Sequence, residues 1–177
     1  MSKAMEVTDI SQELPETVLA AFSAESEKET VRRIVECFTS RGLTVKLKQY
    51  TQPCMDGTLR ILCFIKKSAE AVIINNKGMG HNGMSVQVRI ADRSVLGRLD
   101  DFSESIRNQI LSAGGCGYCC SRCGDKKYVF TYREREYIKC HFICSNFTFQ
   151  NIDEDNIDEL VHIINNEINR KRKGFLQ

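Results

Sequence analysis

The sequence predicts an α+β domain in which helices pack on one face of an antiparallel sheet and a cysteine-rich β-hairpin is followed by a C-terminal helix. In four runs, apolar residues alternate with polar ones, and the connections are too short for the crossovers that parallel strands need. Elsewhere apolar residues recur every three or four positions, as in amphipathic helices. A composition of 42% hydrophobic and 27% charged residues over 177 positions suits one folded domain.

The first half of the chain contributes two helices and the four strands. A short helix follows Pro15, and a longer helix begins near Ser26, which we expect to cap it together with Glu29. The four predicted strands cover residues 43–48, 58–66, 70–75 and 84–90. Residues 1–12 are polar and are predicted to form a flexible N-terminal lead, so a single domain is expected over residues 13–177.

The second half returns to helical spacing over residues 95–110, where Gly97 favours two short helices over one. A hairpin is predicted over residues 128–142, with its turn near Glu134, and we expect residues 147–149 to extend it. It lies in a cysteine-rich region that we place at 114–150. The last helix covers about 154–172, with acidic residues at its start and basic residues at its end, as the helix macrodipole favours.

Six of the nine cysteines fall between positions 116 and 144. Cys116, Cys119, Cys120 and Cys123 precede the hairpin as two consecutive C-x2-C pairs, and Cys140 and Cys144 follow as C-x3-C. Thiolate pairs separated by a spacer of this length are typical of structural zinc sites, which use four ligands. The preferred ligands are Cys116, Cys119, Cys123 and Cys140, with Cys144 and Cys120 as substitutes.

The second cysteine pair departs from the usual C-x2-C spacing. In a straight strand the Cα atoms of Cys140 and Cys144 would lie about 13 Å apart, so either the chain turns between them or only one is a ligand. His141 is an alternative ligand, and disulfide bonding or thiol redox chemistry is an alternative use of the cluster. Cys37, Cys54 and Cys63 are expected to be bystanders, with Cys63 in the core.

Several function classes receive little support from the composition. The longest apolar runs have five residues, too few to span a membrane, and the N-terminus has no secretion-signal pattern. We therefore expect a cytoplasmic protein with reduced thiols. No nucleophile and base can be placed from spacing, and a net charge of +2 does not by itself indicate nucleic acid. A non-enzymatic binding module with structural zinc is the main hypothesis, its partner being an unidentified protein or small molecule.

Two alternatives stay open. A thiol-based redox sensor or oxidoreductase would use the clustered thiolates. A protein that binds single-stranded nucleic acid would do so through the hairpin aromatics and a basic sheet face. That face would be formed by Lys46, Lys48, Arg60 and Lys66, if their strands pair. The ordinary roles of such residues are packing under the last helix and lining the solvated side of a sheet.

The region from Leu99–Ile110 through the cysteines, Tyr128–Tyr132 and Tyr137–Cys140 to Cys144 resembles a family of small bacterial proteins. In that family a short α+β domain ends in a C-x2-C-x3-C cluster, a tyrosine-rich hairpin and a C-x3-C pair before a final helix. The family has no assigned function, so the resemblance, over residues 95–170, implies a fold and no activity. Matched residue by residue, it implies a set of Cys116, Cys119, Cys123, Cys140 and Cys144, with Cys120 as an extra.

Overall fold

The computed structural model describes residues 5–50, 58–66, 69–77, 83–90, 93–113, 127–140 and 146–173. Its elements follow in the order β1 (Met5–Asp9), α1 (Glu16–Leu19), α2 (Glu25–Thr39), β2 (Val45–Tyr50), β3 (Leu59–Lys66), β4 (Ala69–Asn75), β5 (Ser85–Arg89), a 3₁₀ helix (Arg93–Asp101), α3 (Glu104–Ser112), β6 (Lys127–Tyr132), β7 (Arg135–Cys140), β8 (Asn146–Gln150) and α4 (Ile157–Lys173). The predicted α+β class, with a helix closing the fold, is confirmed.

Six strands form one antiparallel sheet in the order β1-β2-β3-β4-β5-β8, and β6 pairs with β7 separately. One face of the large sheet carries buried residues at alternating positions: Ile10, Val45, Ile61, Cys63, Val72, Ile74, Val86, Val88, Phe147 and Phe149. All of these belong to one hydrophobic core cluster, to which each described helix also contributes. The helices therefore pack on this core face, and the alternate residues of each strand lie on the other face.

Two strands differ from the sequence prediction. Met5–Asp9, inside the predicted lead 1–12, forms β1 at the sheet edge, and just beyond it the Ile10 amide donates to the Val45 carbonyl at 3.0 Å. Residues 147–149 do not extend the hairpin, because Phe147 and Phe149 pair with Val88 and Val86 of β5. Both differences concern pairings between residues distant in the chain, which local periodicity does not encode.

The start of α2 is capped by a different residue from the one predicted. Ala24 is the N-cap, and the Glu27 carboxylate accepts from the backbone amides of Ser23 at 2.8 Å and Ala24 at 3.2 Å. The second oxygen of the Glu27 carboxylate accepts from the Met84 amide at 3.1 Å. Glu27 therefore satisfies amides at the helix start and also ties the helix to the beginning of β5, in place of the predicted pair Ser26 and Glu29.

Replacing Glu27 by alanine is expected to lower the free energy of unfolding by about 1–2 kcal/mol, because three amides lose their acceptor. Urea denaturation followed by far-UV circular dichroism measures this change. The matched control is Glu29→Ala on the same helix, which removes only an exposed ion pair with Arg32 at 3.7 Å and is expected to cost under about 0.5 kcal/mol. Equal effects of the two substitutions would contradict the capping role of Glu27.

The hairpin β6–β7 closes through the two-residue loop Arg133–Glu134, whose φ angles are +47° and +64°. Positive φ at both positions is the requirement of a type I′ turn. Beside the turn, the Tyr132 hydroxyl donates to Asp100 of the 3₁₀ helix at 2.5 Å, and the Arg133 guanidinium donates to the same carboxylate oxygen at 2.9 Å. Asp100 thus anchors the turn end of the hairpin to the rest of the domain.

We expect Asp100→Asn to accelerate amide hydrogen exchange at the turn end of the hairpin, beside Tyr132 and Arg133, at neutral pH. The hydrogen bond from Tyr132, together with the Arg133 guanidinium, holds the pKa of Asp100 below its ordinary value of 3.8. The anchor is therefore complete above pH 3.8 and is lost as the pH falls through the lowered pKa, because the protonated carboxyl is the weaker partner. Asp101→Asn, at a neighbouring exposed position, is the control. Unchanged exchange in Asp100→Asn would show that the anchor does not hold the hairpin.

Candidate functional site

The predicted metal ligands lie mostly outside the described residues. Cys116, Cys119, Cys120, Cys123 and Cys144 are all outside, as is the alternative ligand His141. Cys140 is the last residue of β7, where its backbone pairs with Lys127, and its side chain is not described. In the described ranges no group of three or more histidine, cysteine or acidic side chains is placed to hold a metal ion. The zinc site stays a prediction.

Two of the three predicted bystander cysteines are described, and both are buried. Cys63 on β3 is fully buried in the core, as predicted, and Cys37 on α2 is 8% exposed. Burial raises the pKa of both thiols, since it disfavours the charged thiolate. A protonated, buried thiol is a poor nucleophile, so these two cysteines are unsuited to redox chemistry. Cys54 lies outside the described residues.

The face of the large sheet opposite the core has an ordered arrangement of side chains, and we call it the open sheet face. The registers of the five strand pairs place one residue from each strand in a single line across it: Val7, Lys48, Arg60, Asn75, Ser85 and Gln150. We call this line the polar row. Its first five members come from β1 to β5 in chain order, and the last comes from β8.

A basic and aromatic cluster occupies one end of the polar row. Lys48 lies directly opposite Arg60, and Tyr50 is the next residue of β2 on this face. The Lys48 ammonium is 5.2 Å and the Arg60 guanidinium 5.0 Å from the centre of the Tyr50 ring. The Tyr50 hydroxyl also accepts a hydrogen bond from Arg60 at 3.1 Å. The ring therefore holds two cations side by side through cation–π contacts.

The line of residues next to the polar row also places a cation beside an aromatic ring, and its centre is apolar. Lys46 lies opposite Leu62, and its ammonium is 5.6 Å from the centre of the Phe64 ring. Leu62 pairs with Ile73 on β4, and although Leu62 is only 7% exposed it is not part of the core cluster. Asp9 faces Lys46 from the edge strand. The face thus combines aromatic rings, an apolar centre and adjacent cations.

The structure therefore brings together three of the four residues predicted for a basic sheet face: Lys46, Lys48 and Arg60. The side chain of the fourth, Lys66, is not described. Tyr50, Phe64 and Asn75 also belong to this face, and the sequence analysis did not single them out for it. The signal for the first two was available, since Tyr50 continues the Lys46 and Lys48 alternation and Phe64 continues that of Arg60 and Leu62.

The hairpin aromatics divide between two roles. Phe147 and Phe149 lie on β8 and are buried in the core. The Phe130 and Tyr137 rings stack on one face of the hairpin with their centres 5.4 Å apart. Phe130 and Tyr132 pack partly against the core cluster. Packing thus accounts for most of the described hairpin rings. The cations and aromatic rings that lie side by side are those of the open sheet face.

None of the helices in the described ranges combines the length and the apolar character needed to cross a membrane. Comparison of the chain with protein-family models, with curated proteins and with solved structures gave no match. The resemblance to small bacterial cysteine-cluster proteins therefore stays a prediction.

Proposed function

We propose that this protein is a non-enzymatic binding module that holds single-stranded nucleic acid on its open sheet face and a structural zinc ion in its cysteine-rich region. One observation carries the first part: Lys48 and Arg60 lie directly opposite one another and both contact Tyr50. A phosphate group that reaches both cations would form charge-assisted hydrogen bonds with each of them.

The planar groups beside these cations suit the bases of a nucleic acid. Single-stranded nucleic acids bind to sheet faces and grooves where bases stack on aromatic rings or on guanidinium planes while cations contact the backbone. Tyr50 and Arg60 provide a ring and a guanidinium plane together, and Phe64 provides a second ring beside Lys46. This alternation of cations and planar groups is the arrangement that a flexible polyanion with exposed bases requires.

The width of the sheet favours a single strand over a duplex. Neighbouring strands lie about 4.8 Å apart, so six strands span about 24 Å. The major groove of B-form DNA is about 12 Å wide and accepts a helix or a two-stranded ribbon, not a broad sheet. The six-stranded face is therefore too broad to enter the major groove as a whole, which favours an extended single strand as its ligand.

The zinc proposal rests on the open end of the hairpin. Cys140 pairs with Lys127 there, so the two chain segments that carry the clustered cysteines both leave the hairpin from this end. Cys123 precedes Lys127 by only four residues in the sequence, and Cys144 follows Cys140 by four. The two halves of the cysteine pattern therefore begin close together. When bound, zinc would crosslink these segments, with Cys116, Cys119, Cys123 and Cys140 as the first choice of ligands.

Fluorescence anisotropy with a labelled mixed-sequence oligonucleotide tests the nucleic-acid proposal. We expect the single strand to bind more tightly than the matching duplex. Two or three phosphate contacts predict that log K falls with log salt at a slope of about −1.4 to −2. The same assay with competing polyglutamate, and with anionic lipid vesicles, tests other polyanions. Absence of single-strand binding, equal binding of the duplex, or equal competition by polyglutamate or vesicles would overturn the proposal.

A further inference from the structure

Asn75 occupies an unusual place in the polar row. It lies on β4 between Arg60 of β3 and Ser85 of β5, its direct neighbours on the open sheet face, and only 4% of it is exposed. Its side-chain amide Nδ2 donates to the Ser85 hydroxyl at 3.3 Å. Its carbonyl oxygen Oδ1 is buried and has no hydrogen-bond partner in the part of the chain that the structure describes.

An unsatisfied buried carbonyl lowers stability, so its presence needs a reason. An aliphatic side chain at position 75 would continue the apolar run Ala71–Ile74 without that penalty. The amide donates to Ser85 through Nδ2, and in this orientation Oδ1 is the atom left to accept from another molecule. A ligand that donates a hydrogen bond would complete the pairing of this side chain.

We infer that Asn75 is a specificity-determining residue of the open sheet face, and that Oδ1 accepts a hydrogen bond from the exocyclic amino group of a base. This inference rests on the proposed function. The cations and rings at Lys48, Tyr50 and Arg60 give affinity without distinguishing the bases, whereas a single directed acceptor distinguishes them. Cytosine and adenine carry an amino group on the base edge, and uracil carries a carbonyl oxygen at the position of the cytosine amine.

Access to Oδ1 requires a neighbouring side chain to move, because the atom is closed to solvent. Ser85 is short and hydrogen-bonded to Asn75, whereas the long side chain of Arg60 lies on the other side, with its guanidinium donating to the Tyr50 hydroxyl. When the Arg60 guanidinium turns toward a phosphate, it leaves space beside Asn75 for the edge of a base. Affinity and base selection would then occur at adjacent positions of the polar row.

The test compares oligo(dC) and oligo(dU) of equal length at neutral pH by anisotropy, using the full chain. We expect the wild-type protein to prefer oligo(dC) by about tenfold. In Asn75→Leu, which keeps the branched shape of the side chain and removes the acceptor, the preference for oligo(dC) should disappear. The matched control is Gln87→Leu, which replaces a half-buried amide on the same sheet face, and the preference should persist there. Circular dichroism confirms that both variants fold, and Asn75→Ala replaces the leucine variant if it does not.

The outcomes separate this inference from the proposed function. If the wild type binds neither oligonucleotide, the proposed function itself fails. If it binds both equally, or prefers oligo(dU), the binding face stands and the inference about Asn75 is overturned. If the preference for oligo(dC) persists in Asn75→Leu, base selection belongs to another residue, and the inference is again overturned.

Discussion

Replacing Lys48 and Arg60 together by glutamate is expected to weaken the binding of single-stranded oligonucleotides by at least about 100-fold. The two cations lie opposite one another on the open sheet face and would share the phosphates of one short stretch of backbone. Their reversal removes charge-assisted hydrogen bonds and adds repulsion. Because each phosphate contact contributes about 0.7 to the salt slope of a single strand, the slope should also become shallower by about 1.4. Anisotropy titrations at several salt concentrations measure both changes.

The matched control for this double substitution is Arg98→Glu with Arg135→Glu. It changes the net charge by the same amount at two exposed positions, one on the 3₁₀ helix and one on the hairpin. We expect it to weaken binding only slightly and to leave the salt slope nearly unchanged, since distant exposed charges are screened. If the control weakens binding as much as the test substitution, attraction depends on overall charge. If it weakens binding more, the interface lies on the hairpin.

The fold could be predicted to the extent that its elements depend on local patterns. Alternation in Val45–Lys48 correctly predicted a strand, and the helical spacing over residues 95–110 correctly predicted two short helices, although they are separated at Phe102 and Ser103 and not at Gly97. β8 was assigned to the wrong sheet because Phe147 and Phe149 look the same locally whether they pair with the hairpin or with β5. β1 was missed because a short polar edge strand is held mainly by backbone hydrogen bonds, which leave little trace in a sequence.

The same reasoning explains how much of the candidate site could be predicted. Lys46, Lys48 and Arg60 were proposed as one basic face on the condition that their strands pair, and the register of β2 and β3 meets that condition. Asn75 carried no such signal, since it ends an apolar strand and its neighbours Arg60 and Ser85 are brought to it by two separate pairings. Convergence of residues from several strands depends on register, and register is a property of the whole sheet.

The second large effect is expected at the cysteine-rich region. Purified protein should contain about one equivalent of zinc per chain, measured by native mass spectrometry, and Cys123→Ser should lose it. The consequence should be confined to the hairpin. Two strands alone are marginally stable in water, and β6 and β7 form a sheet of their own. The six-stranded sheet has its own core, so amides in residues 127–140 should lose exchange protection while those in β3 and β4 keep it.

Cys120→Ser is the matched control, because Cys120 is the extra cysteine of the pattern and ranks last among the candidate ligands. It should retain the zinc and the protection of the hairpin amides. Zinc bound in small folds contributes on the order of 10–16 kcal/mol, far more than the single anchor at Asp100 supplies, so a mixed result is not expected. A chain that purifies without metal, with its hairpin protected and its clustered thiols paired as disulfides, would contradict the zinc proposal. If the chain holds no metal, has free thiols and still has slowly exchanging hairpin amides, the zinc proposal is also contradicted. Packing and the Asp100 anchor would then be enough to stabilise the hairpin.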